Sequence, residues 1–444
     1  MRNHFIPIIV LCAVGLGYSQ EQSSSFTLEQ AVDFAQRNNY SAINADRDII
    51  DSQKQKWEVI ASGLPQITAD LSYQNQLKQP ISLIPAEFFG GEPGTFQPIT
   101  FGQPQQMTAT TTLRQQIFDG SYIVGVQATK AFLSYAANNK EKTKLEVRKA
   151  VTEAYGNVLL ARESIAILER NKANLEKNLF ETAKIYENGL GDEESVEQLQ
   201  ITLSNVESQL RNAVRLEGIT LQMLNLIMGI AIDAPTKLED QLDDLAQKQM
   251  VTAPMEQPFK LENNVDYKLA INLNEQRFFE WKLAKSKALP SLNSFINYGS
   301  SAFSDSFSFF QSDQEWFDSS ILGFDLKIPI FSSLGRSAST QRAKIALEKA
   351  KTQLVEAEAQ IRLQLERSKS DFTLAVEQYQ TAKENLRLSE RIERKNQIKY
   401  SEGLASSFEL RQAQTQLYDA QQGFLQSMVE VINKKTELEN IVNE

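Results

Sequence analysis

The hydrophobic positions of this chain follow two different periods, and the period switches several times along its length. After Gly120, apolar residues step by four and three: Val147, Val151, Ala154, Val158, Ala161, Ile165, Leu168, Leu175 and Leu179, with Lys172 as one polar intruder. That is a heptad seam for packing helix on helix. A second seam runs through Leu347, Ala350, Leu354, Ala357, Ile361, Leu365, Ser368, Phe372, Ala375, Tyr379, Ala382 and Leu386. Two consecutive steps of four around Ile361 form a stutter, which locally unwinds a left-handed supercoil. Each seam predicts a helix of roughly 67 residues, about 100 Å at the helical rise. Shorter heptads follow each long one, at Val196, Leu199, Leu203, Val206 and Leu210, and at Leu410, Ala413, Leu417, Ala420 and Phe424. Residues 27–62 and 264–289 also read as helices, the first opened by a Thr27-x-x-Gln30 capping box. Their lengths predict short helices stacked in pairs beside each long one, giving four rods per chain.

Elsewhere the period is two. Ile67, Ala69, Leu71 and Tyr73 oppose Thr68, Asp70, Ser72 and Gln74. Met107, Ala109, Leu113 and Ile117 oppose Thr108, Thr110, Thr112 and Arg114, and Leu292, Ile296 and Tyr298 oppose Asn293 and Asn297. Leu322, Phe324, Leu326, Ile328 and Ile330 oppose Gly323, Asp325 and Lys327. These are four amphipathic strands, paired as hairpins over 64–118 and 290–331. An apolar face against a polar, partly charged one suits a membrane barrel with a wet lumen, lined by Asp70, Arg114, Asp325 and Lys327. A soluble sheet with one buried face would show the same alternation. The hairpin tips at 78–106 and 304–316 are rich in Gly, Pro and aromatic residues. Gly90-Gly91-Glu92-Pro93-Gly94 lacks the following Lys-Ser/Thr of a phosphate loop and reads as a surface loop.

The two periods alternate in the same order twice. Gly63-Leu64-Pro65-Gln66-Ile67 returns as Ala288-Leu289-Pro290-Ser291-Leu292, and Ile117-Phe118-Asp119-Gly120 as Ile330-Phe331-Ser332-Ser333-Leu334-Gly335. Tyr186-Glu187-Asn188-Gly189-Leu190 returns as Tyr400-Ser401-Glu402-Gly403-Leu404. Phe118 precedes Tyr186 by 68 positions and Phe331 precedes Tyr400 by 69, so the halves are matched copies. The implied layout is a first repeat over 20–234 (helix, hairpin, long helix 121–188, helix 193–228), a connecting segment over 235–263, and a second repeat over 264–444 (helix, hairpin, long helix 336–401, helix 406–442). Four strands cannot close a barrel, because known barrels start at eight. Two copies give eight strands, too tight for an open lumen, and three give twelve.

Composition narrows the chemistry. Residues 1–19 read as a secretory signal, with Arg2, an apolar run from Phe5 to Leu16, and small residues at Gly17 and Ser19. The only His and Cys, His4 and Cys12, fall inside it. Ile9-Val10-Leu11 before Cys12 lacks the small residues of a lipid-anchor signal, so Cys12 reads as part of the apolar run. The remaining chain has no thiol nucleophile, disulfide, imidazole base or His/Cys metal ligand, and neither an enzyme nor a cofactor is expected. With 46 Lys+Arg against 56 Asp+Glu and no basic patch standing out, nucleic acid is not an expected partner. No later stretch is apolar enough for a membrane-spanning helix.

The repeated set of marks resembles the TolC family of outer-membrane efflux proteins: Leu-Pro entering a strand, an aromatic and Gly leaving one, and two helical-hairpin tips. The resemblance spans essentially the whole chain after the signal. It implies an α+β membrane protein, a trimeric 12-stranded barrel in the outer membrane continued by a long α-helical periplasmic tunnel. It implies an exit duct for tripartite efflux or type I secretion, with a periplasmic adaptor and an inner-membrane transporter as partners. In that family the tips contact the adaptor through a Gly-centred turn, here Gly189-Leu190 and Gly403-Leu404. A turn between antiparallel helices needs a residue tolerant of positive φ, and an exposed Leu beside it offers an anchor. The family's gate contacts map onto Tyr400 and Glu409. Gln412 follows at the next position, Ala405 replaces the latch Arg, and Ser195 takes the first-half acidic position. Asp192-Glu193-Glu194 would crowd acid at the tip of the gate, or serve as an ordinary acidic helix start. A periplasmic adaptor, or a structural coiled-coil protein, is the alternative reading of the long hairpins. A carboxylate-only hydrolase is a third reading.

Overall fold

A computed structural model of the 444-residue chain describes residues 25–251 and 259–442. The signal segment, with His4 and Cys12, lies outside the described residues. The chain divides into two compact units, and the boundary does not follow the sequence repeat. One unit holds residues 25–43, 143–251, 259 and 363–442, and the other holds 44–142 and 260–362. Each unit therefore takes part of both repeats, because the long helices α3 (Gly120–Glu187) and α7 (Gly335–Ser401) contribute to both.

In the second unit, strands β2 (Gln66–Asn75), β5 (Gln105–Asp119), β7 (Ser291–Ser304) and β8 (Phe317–Lys327) form one antiparallel sheet in the order β2-β5-β7-β8. The two expected hairpins are thus fused through the β5–β7 pairing into one four-stranded sheet, with β2 and β8 as unpaired edges. β8 stops at Lys327, short of the Ile328 and Ile330 assigned to it from alternation. Pro329 has no N–H to continue a ladder, and Ser333 and Leu334 turn the chain at positive φ. The first loop is more ordered than expected. β3 (Ile81–Pro85) and β4 (Phe96–Thr100) form a separate small hairpin around the Gly90–Gly94 turn.

Two helices lead into this sheet, α2 (Tyr40–Ala61) and α6 (Val265–Ser286), each of 22 residues. Their starts correct the expected single helix over 27–62: it breaks at Asn39, leaving α1 (Leu28–Asn38) separate. Asn39 is extended (φ −60°, ψ 138°), and its Oδ1 accepts Ser41 N–H at 2.7 Å while its Nδ2 donates to Ile227 O at 2.7 Å. Asn264 plays the same capping part for α6, accepting from Tyr267 N. The true repeat counterparts are therefore α2 and α6.

The first unit is a helical core. Every seam position expected on α3 and α7 is buried or half-buried. Val151, Tyr155 and Val158 of α3 lie in one apolar cluster with Phe372 and Tyr379 of α7 and with Val431 and Ile432 of α8 (Ser407–Val442). Lys172 reaches out of the α3 seam to Glu207 of α4 (Glu193–Met228) at 3.0 Å. The connecting segment is docked here. β1 (Ser25–Phe26) pairs in parallel with β6 (Lys237–Leu238), and α5 (Leu242–Val251) buries Leu242, Leu245 and Ala246. The Tyr155 hydroxyl donates within this clip, lying 2.9 Å from Phe26 O and 2.7 Å from Asp240 Oδ2. Burial pushes the Tyr155 phenol well above its usual range, and the Asp240 carboxylate adds to that.

Candidate functional site

Strand register decides which side chains share a face of the sheet. Directly paired residues point the same way. Gln66 pairs with Arg114, Asp70 with Thr110, Asn293 with Asp325 and Ser291 with Lys327. Following these pairs through β5 and β7 puts all four residues expected in the lumen, Asp70, Arg114, Asp325 and Lys327, on one face. The opposite face carries Ile67, Leu71, Leu113, Ile296, Leu322, Phe324 and Leu326. A β-bulge between Gln116 and Phe118 keeps this sorting. The extra residue, Ile117, returns Asp119 to the polar side, where its Oδ1 accepts Ser121 N–H at 2.7 Å and opens α3. Gly323 leaves room for the Phe295 ring of the neighbouring strand, since a Cβ there would lie 2.3 Å from its Cζ.

The two helical turns are built alike. At α3–α4, Leu190 N donates to Ile185 O at 3.1 Å and Gly189 N to Tyr186 O at 2.8 Å. At α7–α8, Leu404 N donates to Lys399 O at 2.7 Å and Gly403 N to Tyr400 O at 3.0 Å. Both are Schellman caps, with Gly189 and Gly403 at φ 73° and 71°. The Leu after the glycine commonly folds back onto its own helix in such caps. Here Leu190 and Leu404 stay 82% and 73% exposed.

The acidic residues beside the tips are engaged locally. Asp192 caps α4, and its carboxylate is held below the usual range by the Ser195 backbone N–H (2.6 Å) and hydroxyl (3.0 Å). Glu193 and Glu194 occupy the first turn of α4. Glu409 closes a capping box with Ser406, which lowers its pKa through the Ser406 N–H and hydroxyl, with Lys399 contributing. Tyr400 reaches α3, its hydroxyl 3.0 Å from Thr182 Oγ1. That bond ends a polar ladder that the seam reading missed. Asn178 and Gln397 exchange hydrogen bonds at 2.9 and 3.1 Å, and Asn171 donates to Gln421 at 2.9 Å. The seven-residue spacing of Asn171 and Asn178 was the available signal. Ala405, where the family's latch Arg would stand, contributes only its backbone N–H, to Lys399 O.

A four-stranded sheet with one apolar and one polar face, together with paired coiled helices whose order is written twice along the chain, marks the class: a β-barrel channel protein of the outer membrane with a helical extension. The chain belongs to the outer membrane efflux protein family, whose family model matches residues 51–229 and 261–444, one stretch per repeat. Its fold is similar to that of the Campylobacter jejuni CmeC outer membrane channel, with 16% identity, 99% of this chain and 94% of that one covered, and a TM-score of 0.72. The Vibrio cholerae outer membrane protein VceC matches at 15% identity over 94% of this chain and 95% of its own, with a TM-score of 0.70. The open-state Neisseria gonorrhoeae MtrE channel matches at 16% identity over 94% and 88%, with a TM-score of 0.68. No curated protein sequence matches the chain. The resemblance to the TolC family therefore holds, and the protein is an outer-membrane exit duct of an efflux system. The adaptor and structural coiled-coil readings fall away.

Proposed function

We propose that three copies close their sheets into a 12-stranded barrel, β8 of one against β2 of the next, with the polar face inward. The carrying observation is the sheet itself: two unpaired edges, an exposed apolar face, and all four candidate lumen charges on the other. An open edge in the bilayer would leave backbone groups without partners, so closure is required. The duct is passive and needs no cofactor; energy and selection come from an inner-membrane transporter through a periplasmic adaptor. The adaptor docks on the glycine turns, with Leu190 and Leu404 as its apolar anchors. Tyr400, Glu409 and Asp192-Glu193-Glu194 form the periplasmic gate in this reading. The Tyr400–Thr182 bond holds α7 to α3 when the gate is shut, and Asp192 and Glu409 stiffen the helix starts beside it.

Cysteine labelling tests the lumen assignment. Asp325→Cys should react with a hydrophilic, membrane-impermeant thiol reagent in intact cells, and Phe324→Cys should not. The reverse pattern would overturn the inward placement of the polar face.

A further inference from the structure

The polar face of the sheet carries an anomaly at the end away from the helices. Phe303 of β7 and Phe317 of β8 share that face: Gln106 pairs with Phe303 and Ser301 with Phe317. Their rings lie 6.3 Å apart and are 39% and 56% exposed. Around them the face is hydroxyl and amide, with Thr108 Oγ1 3.2 Å from Ser301 Oγ. The aromatic residues of the opposite face do something different: Tyr73 packs edge-on against Phe307 and Phe309 at 5.4 and 5.8 Å, which suits a girdle at the lipid interface. Phe295, also on the polar face, is used to cover Gly323. Phe303 and Phe317 cover no glycine, and leaving large apolar surface in water is unfavourable.

We infer that Phe303 and Phe317 form an aromatic collar inside the outer mouth of the duct, a contact site for planar aromatic organic cargo. The inference rests on the reading that the polar face lines the lumen. Three copies place six rings near one level. Twelve strands about 4.8 Å apart and tilted by about 40° give a backbone radius on the order of 12 Å, and inward rings narrow it by several ångströms. Planar aromatic molecules stack on such rings, and aromatic cations add an attraction to the ring face. A hydrated metal ion passes such an aperture with its water shell intact and gains little from the rings, because touching them would cost it water, so the collar favours contact with organic over inorganic cargo.

Ser319 lies one step further inward on the same face of β8, paired with Gly299. S319C introduces the sole thiol beyond residue 12. In purified channel reconstituted into vesicles, a charged thiol reagent should label S319C, and ethidium should slow that labelling several-fold while potassium at equal ionic strength does not. Adding F303S and F317S should abolish the protection, and F303L with F317L, which keeps apolar bulk without rings, should weaken it. If the serine variants fail to assemble, the leucine pair decides alone. Labelling without ethidium protection, or protection that survives loss of both rings, overturns the collar. Labelling of S320C but not S319C would instead refute the inward placement of the polar face, on which the collar rests.

Discussion

Replacing Gly403 isolates what the tip turn requires. Its φ of 71° lies in the left-handed region, and a Cβ built there meets nothing within 4 Å. The cost of a side chain is therefore conformational rather than steric, about 1–2 kcal/mol for Ala and at or above the top of that range for β-branched Val. Gly229 provides the contrast. Its φ is 77°, but a Cβ would fall 2.1 Å from Asn38 O, so Gly229→Ala must also displace the α1–α2 break. Because 1–2 kcal/mol is a factor of roughly 5–30 in an opening equilibrium, Gly403→Ala should speed amide exchange of Leu404 and Ala405 by about that factor. Helical melting of the assembled protein should barely change, whereas Gly229→Ala should lower it clearly. Hydrogen exchange read by mass spectrometry on peptides spanning 399–405, with an export assay alongside, measures both effects. Gly403→Val should reduce export while assembly persists. Unchanged Leu404 exchange in Gly403→Ala would refute the backbone argument. Unchanged export in Gly403→Val, despite a loosened turn, would refute the docking role.

Other consequences follow from charge. The lowered pKa of Asp192 means that its cap is fully present above the ordinary carboxylate range, about pH 4, and is lost as pH falls through the lower folded-state value. Protection of the Ser195 amide should show that acid step in the native protein, and Asp192→Asn, which still caps, should remove it. In the helical core, Lys435 is fully buried, with Nζ 3.6 Å from Glu439, and Glu439 also pairs with Arg148. Glu439→Gln takes the shared carboxylate from two cations and should lower the melting temperature. Lys435→Met combined with it should recover most of the loss.

The strands and tips were legible because their signals are local. Alternation in Ile67–Gln74 and Leu322–Lys327 sets the two faces, and glycine two residues after the last helical turn marks each cap. The break at Asn39 was not legible, since Arg37-Asn38-Asn39-Tyr40 has no Pro or Gly. It is imposed from outside by Ile227 O and by the close approach of Gly229 to Asn38. The Tyr155–Asp240 clip and the Asn178–Gln397 ladder join residues 85 and 219 positions apart, which no periodicity reports. Asp192 and Glu409 show the limit on charge patterns: the sequence marks acids at the tips, while their hydrogen bonds show them engaged in capping their own helices. The aromatic pair at Phe303 and Phe317 emerged only when register placed both on the polar face.

The most direct test of the account is the symmetry of the detergent-extracted outer-membrane form, imaged by negative stain. The account predicts a three-fold particle whose barrel sits in the detergent belt and continues into a helical duct. A monomer or dimer, or a particle with no detergent-bound barrel, would contradict it.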